Sequence, residues 1–493
     1  MTDRVAKPRA RKKKPVTLPP NANVQLDDQL FSSSKDPIRV KSEPPERDGE
    51  LFNVHVPFPT SPRTTAWSID AQKAVVAIRY QYKPPSLYQP VKVQTDALDM
   101  AFLSHFVELN RGVSSYSPEI PWLTYLPVAN TIATKATMKF AIRAASMAFY
   151  AIHHHDPSIL VDSYRWYNVS LSTQRLSLAR LTGESIPDEE QILAPIVLAL
   201  YEVYVGTTSS SVMHHLAAAA ELIKMRGPTN CSSGVIWPLF KAMRVSDAHK
   251  SLIFNVPSTF CSPEWMTLPF LNMPRNAHQD LVEVILHIPH CIRLCYTRGG
   301  SLRTFFATPI PAHTDRQPCR TRTLTILAEL RAWAARFPHL TSISPSPHEI
   351  TADMASLCVN GVTATHPDSK TLVVPHSFLA LTAATYQATL ITLTLLLRKL
   401  DMPVDPLTPQ SPDVDDAAIE QATKSAKSVL HIAASLESTR PIGFDFMRSV
   451  FPVVVVAILG PGDEEMVAAR EMLKRWGDSR GMGGLCGAWL DIR

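Results

Sequence analysis

Glycine is scarce in this chain, at 17 of 493 residues. That argues against Gly-rich phosphate loops and tight β-hairpins, which need residues free to take positive φ. Cysteine is sparse and late. The seven thiols are Cys231, Cys261, Cys291, Cys295, Cys319, Cys358 and Cys486. An odd count, wide scatter and no apolar signal segment after the start predict a reducing compartment and no disulfides. Without a secretory signal, the glycosylation patterns at Asn168 and Asn230 are expected to be coincidences. Catalytic spacings are missing as well: no G-x-S-x-G elbow, no Walker loop, no H-E-x-x-H and no paired-cysteine zinc ribbon. The sequence makes no case for an enzyme. No self-similar period of 20 to 50 residues is visible, which excludes a solenoid with a detectable repeat.

What is present is a globular composition, 45% apolar and 19% charged, with 41 prolines that mark helix ends and ordered coil. The length exceeds the usual single-domain ceiling, so one large core or two ordinary ones are expected, plus tails. The fold class expected is all-α: a large irregular helical domain of helix hairpins behind a disordered basic N-terminal tail.

The charge is concentrated in that tail. Residues 1–14 hold seven cations, Arg4, Lys7, Arg9, Arg11, Lys12, Lys13 and Lys14, against Asp3. With the whole chain at +5, residues 15–493 carry −1, so the body has no bias toward nucleic acid or acidic lipid. Residues 1–65 are expected to be a disordered tail or linker. Lys7, Arg9, Arg11, Lys12, Lys13 and Lys14 are the candidates for nuclear import or weak phosphate contact. Val40, Lys41, Ser42 and Glu43 follow the apolar-Lys-x-acid pattern of a SUMO acceptor, a pattern short enough to arise by chance.

From about residue 95 the periodicity turns helical. Leu98, Phe102, Phe106 and Leu109 share one stripe, and helices are expected at 132–152 and 164–178. Ser185 to Glu190 predicts an N-cap with acids in the first turn. The apolar stripe Leu193, Ile196, Val197, Leu200, Tyr201 and Tyr204 follows, with a kink expected at Pro195. The next helix, about 211–225, ends in Lys224, Arg226, Gly227 and Pro228, a C-terminal cap and stop. A short linker between them predicts an antiparallel hairpin. Further helices are expected at 236–254, 278–296, 321–336, 376–400, 414–438 and 463–476.

Residues 337–375 and 401–413, rich in Pro, Ser and Thr, are expected loop insertions, with proline-directed phosphorylation candidates at Ser344, Ser346, Thr408 and Ser411. Ser377 to Leu397 carries no charge and meets the length test for a membrane span. Thr382, Thr385, Gln387, Thr389, Thr392 and Thr394 dilute it and favour a buried helix instead. Phe451 to Gly460 predicts a core segment. His287, Cys291 and Cys295 at i, i+4 and i+8, with His290, are candidate zinc ligands by type and spacing. Pro289 and the lack of a fourth ligand favour a core helix. His153, His154, His155 and Asp156 before Pro157 mark a helix end. The glycines from Gly481 to Gly487 predict a terminal turn.

The run from Asp188 through Leu200, Tyr201 and Glu202, then His215, Leu222, Arg226, Gly227 and Pro228, then Phe240 and Arg244, and finally Trp265 resembles the regulatory domain of fungal transcription factors of the binuclear zinc cluster class. That family has an acidic helix start, a Leu-Tyr-Glu helix, a His-containing helix ending in Arg-Gly-Pro and an aromatic-Arg helix in this order. The resemblance covers about residues 95–490 and is strongest over 188–265. Leu200, Tyr201, Glu202, His215, Arg226, Gly227, Pro228, Arg244 and Trp265 are implied to be structural. Two departures stand out. Ala217 to Ala220 replace the family's frequent Gly-Ala step, and the six-cysteine cluster has no counterpart, since the first thiol is Cys231.

The resemblance implies a nuclear regulator of RNA polymerase II transcription with no DNA-binding cluster on this chain. Either the chain is cut from a longer protein by a misplaced start codon, or it is a paralogue without that module. No cofactor is expected here, zinc entering only with a missing N-terminal cluster. Expected partners are the transcription machinery or another zinc-cluster factor, with a homodimer allowed. DNA would be reached only through the missing module or weakly through the basic tail. No membrane partner is expected. A co-regulator or dimerisation scaffold is the alternative, and a helical enzyme or membrane-associated protein a lesser one.

Overall fold

In the computed structural model the chain divides into two units, Met1–His55 and Val56–Arg493. The described residues lie in the second and run from 95 to 490, except 112–120, 181–184, 209, 274, 297–298, 343–349, 352–370, 373–375, 403–411 and 440–442. The basic run, the SUMO pattern and the four phosphorylation candidates fall outside them.

The fold is all-α. Its first helices are α1 (Thr95–Arg111), α2 (Pro121–Ile132), α3 (Ala136–His154), α4 (Pro157–Ala179), α5 (Glu189–Val205), α6 (Ser211–Arg226) and α7 (Ile236–Phe254). There follow α8 (Pro263–Thr267), α9 (Ala277–Ile292), α10 (Leu302–Ala307), α11 (Gln317–Arg336), α12 (His376–Asp401) and α13 (Pro412–Thr439). The last four are α14 (Phe444–Arg448), α15 (Val450–Leu459), α16 (Asp463–Ser479) and α17 (Gly483–Leu490). Among the described residues, apart from short 3-10 turns, the other regular structure is one two-residue antiparallel pair, Ile350–Thr351 with Thr371–Leu372.

Local chemistry explains the helix ends. Asp188 begins α5 with a reciprocal capping box: its carboxylate accepts from Gln191 N at 2.9 Å, and its own N–H donates to Gln191 Oε1 at 3.0 Å. Glu190 serves a neighbour as well. Its two oxygens accept from Thr134 N and Lys135 N at 2.9 and 2.8 Å, at the start of α3. The histidine run ends one helix and opens the next. His155 takes the left-handed conformation that stops α3, and Asp156 caps α4 by accepting from Ser158 N and Ile159 N. Helix α5 continues through Pro195.

Packing then gathers these helices on one core. Helix α3 lies against α1, α4 and α5, α5 against α6, and α6 against α7. Helix α9 packs on α7 and α11, and α12 on α11, α13 and α15. Helix α16 bridges α15 and α17, and α17 returns to α5 and α6. Every helix contributes at least one side chain to a single contiguous apolar cluster. The valines of α15 are poor helix formers, but Val450, Val453, Val454, Val455 and Val456 are all buried, and burial overrides propensity.

Helix α12 is, among the described residues, the one long and apolar enough to cross a membrane, and 67% of its most apolar window is buried in the fold. The threonines that dilute its hydropathy face inward. Thr382, Thr385, Thr389 and Thr392 are fully buried, each hydroxyl donating to the carbonyl four residues back at 2.8 to 2.9 Å.

One expectation is corrected. The glycine-rich stretch at the C-terminal end is not a terminal turn: Gly481 has a positive φ of 66°, and helix α17 follows from Gly483. Burial of Cys486 and Trp489 holds it, and glycine at 484 permits a backbone approach no other residue allows.

Candidate functional site

The residues singled out by the resemblance gather into two buried hubs. In the first, Tyr167 of α4 stacks on Tyr201 at 4.3 Å between centroids, and its hydroxyl lies 3.0 Å from His215 Nε2. Glu202, fully buried, accepts from Thr207 N at 2.8 Å and from Thr207 Oγ1 at 2.6 Å, which fixes the turn between α5 and α6. Burial pushes the Glu202 carboxyl up, and the Thr207 and Tyr167 hydrogen bonds oppose it. Burial holds the His215 imidazole down, at about 4, hence neutral. At the far end of the hairpin, Arg226 Nη1 donates to Pro187 O at 2.7 Å and Nε to Asn230 O at 3.0 Å, tying the end of α6 to the entry of α5. Gly227 adopts φ 82°, and Pro228 starts a 3-10 turn.

The second hub surrounds Arg244 on α7, which is completely buried. Its Nη1 donates to Gln279 O and Oε1 at 3.0 and 2.9 Å, and its guanidinium lies 5.2 Å from the Phe270 ring centre. Glu283 on α9 is 3.8 Å from Nη2 and also pairs with Arg275. Phe240, Phe260 and Trp265 pack on one another beside it. Both hubs are structural in character, a cation or carboxylate closed off by partners.

Between the hairpin and the C-terminal helices is a cavity of about 140 Å³. Its walls are apolar: Leu200 and Val203 of α5, Leu216 of α6, Met243 of α7, Phe451 of α15 and Trp489 of α17 are among them. Among the described residues three polar side chains line it, Ser246 and His249 of α7 and Arg448 of α14. His249 is 7% exposed, stacks parallel on Phe451 at 3.6 Å, and its buried Nε2 has no hydrogen-bond partner. Burial, with Arg448 and His278 nearby, pushes this imidazole well below its usual value, so it is neutral. Arg448 is half-buried, one terminal nitrogen 3.4 Å from His278 Nδ1. Of the cavity's lining, Leu200 alone is among the residues that the resemblance singled out, while Ile196 and Phe451 were expected only as core. Ala242, Ser246 and His249 do fall on one helical stripe, but Arg448 follows Asp445 in its own stretch and nothing local marks an unfilled space.

The metal candidates separate. Cys261 Sγ lies 3.4 Å from His287 Nδ1, whereas Cys291 Sγ lies 3.8 Å from Cys319 Sγ and 3.2 Å from Thr323 Oγ1. Among the described residues no group of three or more His, Cys, Asp or Glu side chains is placed to hold a metal ion. The six described cysteines are free thiols.

No protein-family model matches the chain, and no curated protein or solved structure matches it either.

Proposed function

We propose that this chain is the helical regulatory domain of a nuclear regulator of RNA polymerase II transcription, of the fungal zinc-cluster type, with no DNA-binding cluster and no catalytic role of its own. The observation that supports it best is the use made of the resembling residues. Tyr201, Glu202, His215, Arg226, Arg244 and Trp265 lock a helix hairpin and its neighbour without exposing a reactive centre, which is what a signal-receiving scaffold requires. Zinc and sequence-specific DNA contact belong to a separate module, and the cations Lys7 to Lys14 carry import and at most weak phosphate contact. The partners are the transcription machinery, another zinc-cluster factor or a second copy.

An exposed apolar group favours a second reading, a dimerisation scaffold or co-regulator. Val128 and Ile132 of α2 are 50% and 57% exposed, beside Met100 of α1, which Asn130 touches.

The test is to tether the full chain to a heterologous DNA-binding domain over a reporter. A change in transcription is expected. An intact, nuclear, tethered chain that leaves the reporter unchanged overturns the regulatory reading. A tagged chain excluded from nuclei with Lys7 to Lys14 intact overturns the location. Reading the message upstream of Met1 for two C-x-x-C pairs separates a cluster-bearing protein from a co-regulator.

A further inference from the structure

We propose that the cavity between the α5–α6 hairpin, α7, α14, α15 and α17 binds a neutral, apolar small molecule with the bulk of one aromatic ring, held by contact with Leu200, Val203, Met243, Phe451 and Trp489 rather than by a charge. Size sets the first limit. A volume of about 140 Å³ is close to that of an apolar cavity of roughly 150 Å³ known to admit benzene. One ring, or a branched chain of similar bulk, fills it.

The walls set the second. Most of the described lining is aliphatic or aromatic. Wall atoms facing an unfilled space lack contact partners on that side, and an apolar occupant restores those dispersion contacts as it leaves water. Water itself is a poor occupant of such walls, because it needs several polar partners to replace the bonds it gives up. The polar side chains of the described lining are already committed. The Ser246 hydroxyl donates to the Ala242 carbonyl of its own helix at 3.1 Å. Arg448 is engaged within the fold, one terminal nitrogen lying 3.4 Å from His278 Nδ1. His249 stacks parallel on Phe451 at 3.6 Å and is neutral, so it adds a ring rather than a charge to the wall. Its unpaired Nε2 has essentially no accessible surface and offers a ligand no handle. Such a site rewards contact area. A charged ligand would surrender its water there without gaining in contact, which selects a neutral one.

The site goes beyond the regulatory reading. That a bound molecule alters transcription rests on that reading; that the cavity takes the molecule does not.

The experiment is isothermal titration of the full chain with benzene and, separately, with benzoate, accompanied by thermal unfolding. Benzene is expected to saturate one site and raise Tm, with benzoate at least about tenfold weaker. Ala242→Leu, which adds bulk at the cavity wall, is expected to abolish benzene binding while thermal stability holds or rises. In methyl NMR spectra of the full chain labelled at methionine, benzene is expected to shift the signals of Met243 and Met447, both of which line the cavity. Absence of saturable benzene binding overturns the site. Benzoate binding as tight as benzene overturns the neutral assignment. Benzene binding that survives Ala242→Leu, or that leaves the Met243 and Met447 signals unmoved, overturns the placement in this cavity. If Ala242→Leu fails to fold, the methionine signals of the unsubstituted chain still decide. The readout is binding alone, so a negative result here leaves the tether assay standing, and a negative tether assay leaves this one standing.

Discussion

Gly484 provides the sharpest test of the packing, because two physical rules predict opposite signs for Gly484→Ala. Helix propensity favours alanine over glycine by about 1 kcal/mol inside a helix such as α17. Close approach forbids it. A Cβ at this position would stand 1.8 Å from the carbonyl oxygen of Glu202 and 2.8 Å from Gly206 Cα. Those atoms are backbone, and the Glu202 carbonyl already accepts the 2.8 Å capping bond from Gly206 N. Relief needs a displacement of roughly 1.2 Å, from 1.8 Å to the 3.0 Å floor of real Cβ contacts, moving either α17 or the end of α5. Forced expansion of a packed contact costs about 1–3 kcal/mol and sits at the upper end where backbone meets backbone. After the propensity gain the net destabilisation is about 2 kcal/mol. Gly487, on the same helix, is the control, since a Cβ there meets nothing within 4 Å. Gly487→Ala should be neutral or stabilising by up to about 1 kcal/mol. Equilibrium urea unfolding followed by tryptophan fluorescence reads both, a shift in midpoint at constant slope giving the sign. If both variants move the midpoint upward together, α17 does not sit on α5 as described.

Three further outcomes follow from other parts of the fold. Arg244→Leu keeps bulk but strands the Gln279 acceptors, and should cost about 3 kcal/mol in the same unfolding assay; a loss below 1 kcal/mol, roughly, would show the hub to be incidental. Burial holds His153 and His215 at about 4 in the fold against 6.5 for the free side chain. The unfolded chain therefore binds the extra protons: stability is full above pH 6.5, falls as pH drops toward 4, and levels off below, with a slope of at most about 1.4 kcal/mol per pH unit per group. Partial exposure of His153 lowers its share. His215→Gln should reduce that slope, and an unchanged slope rules His215 out as a contributor. Thr389→Val on α12 exchanges a hydroxyl bonded to the Thr385 carbonyl for a methyl and should be neutral or stabilising by less than about 1 kcal/mol; a large loss would mean the hydroxyl has a tertiary role.

Much of this architecture could be read locally. The capping box at Asp188, the Arg226–Gly227–Pro228 stop and the helix over 236–254 follow from signals within one or two turns, and physical causes of that range are the ones a sequence displays. Other features depend on distant partners. Helix α2 carries Pro127 inside it, and Trp122, Leu123 and Leu126 reveal their stripe only where α1 and α3 cover them. Arg244 looks like a surface cation until Gln279, Met266 and Phe270 are brought round it from outside its helix. The threonines of α12 lower its hydropathy although back-bonding to their own helix makes them acceptable in a core. The cavity was illegible for a topological reason. Trp122, Leu200, His249, Arg448 and Trp489 are drawn from separated stretches, and no periodicity within any one of them encodes an unfilled space between all of them.

That topology also determines how an occupant of the cavity acts if the chain is a regulatory domain. A ligand shifts an equilibrium only by its differential affinity for the two states. An occupant of the cavity between the hairpin, α14 and α17 is therefore linked to their separation, because any change in it alters the contacts the occupant makes. The hairpin side is fixed by Glu202, Thr207 and Arg226. Helix α14, five residues long and carrying Arg448, forms the opposite side, with Phe444, Phe446 and Met447 buried. Filling the cavity covalently should then imitate filling it with ligand. In the tethered reporter, Ala242→Leu, which adds bulk at the cavity wall, is expected to shift the output away from that of the wild-type chain. If the substituted chain, folded and present at the wild-type level, leaves the output unchanged, occupancy of the cavity is not the variable that the transcriptional output senses.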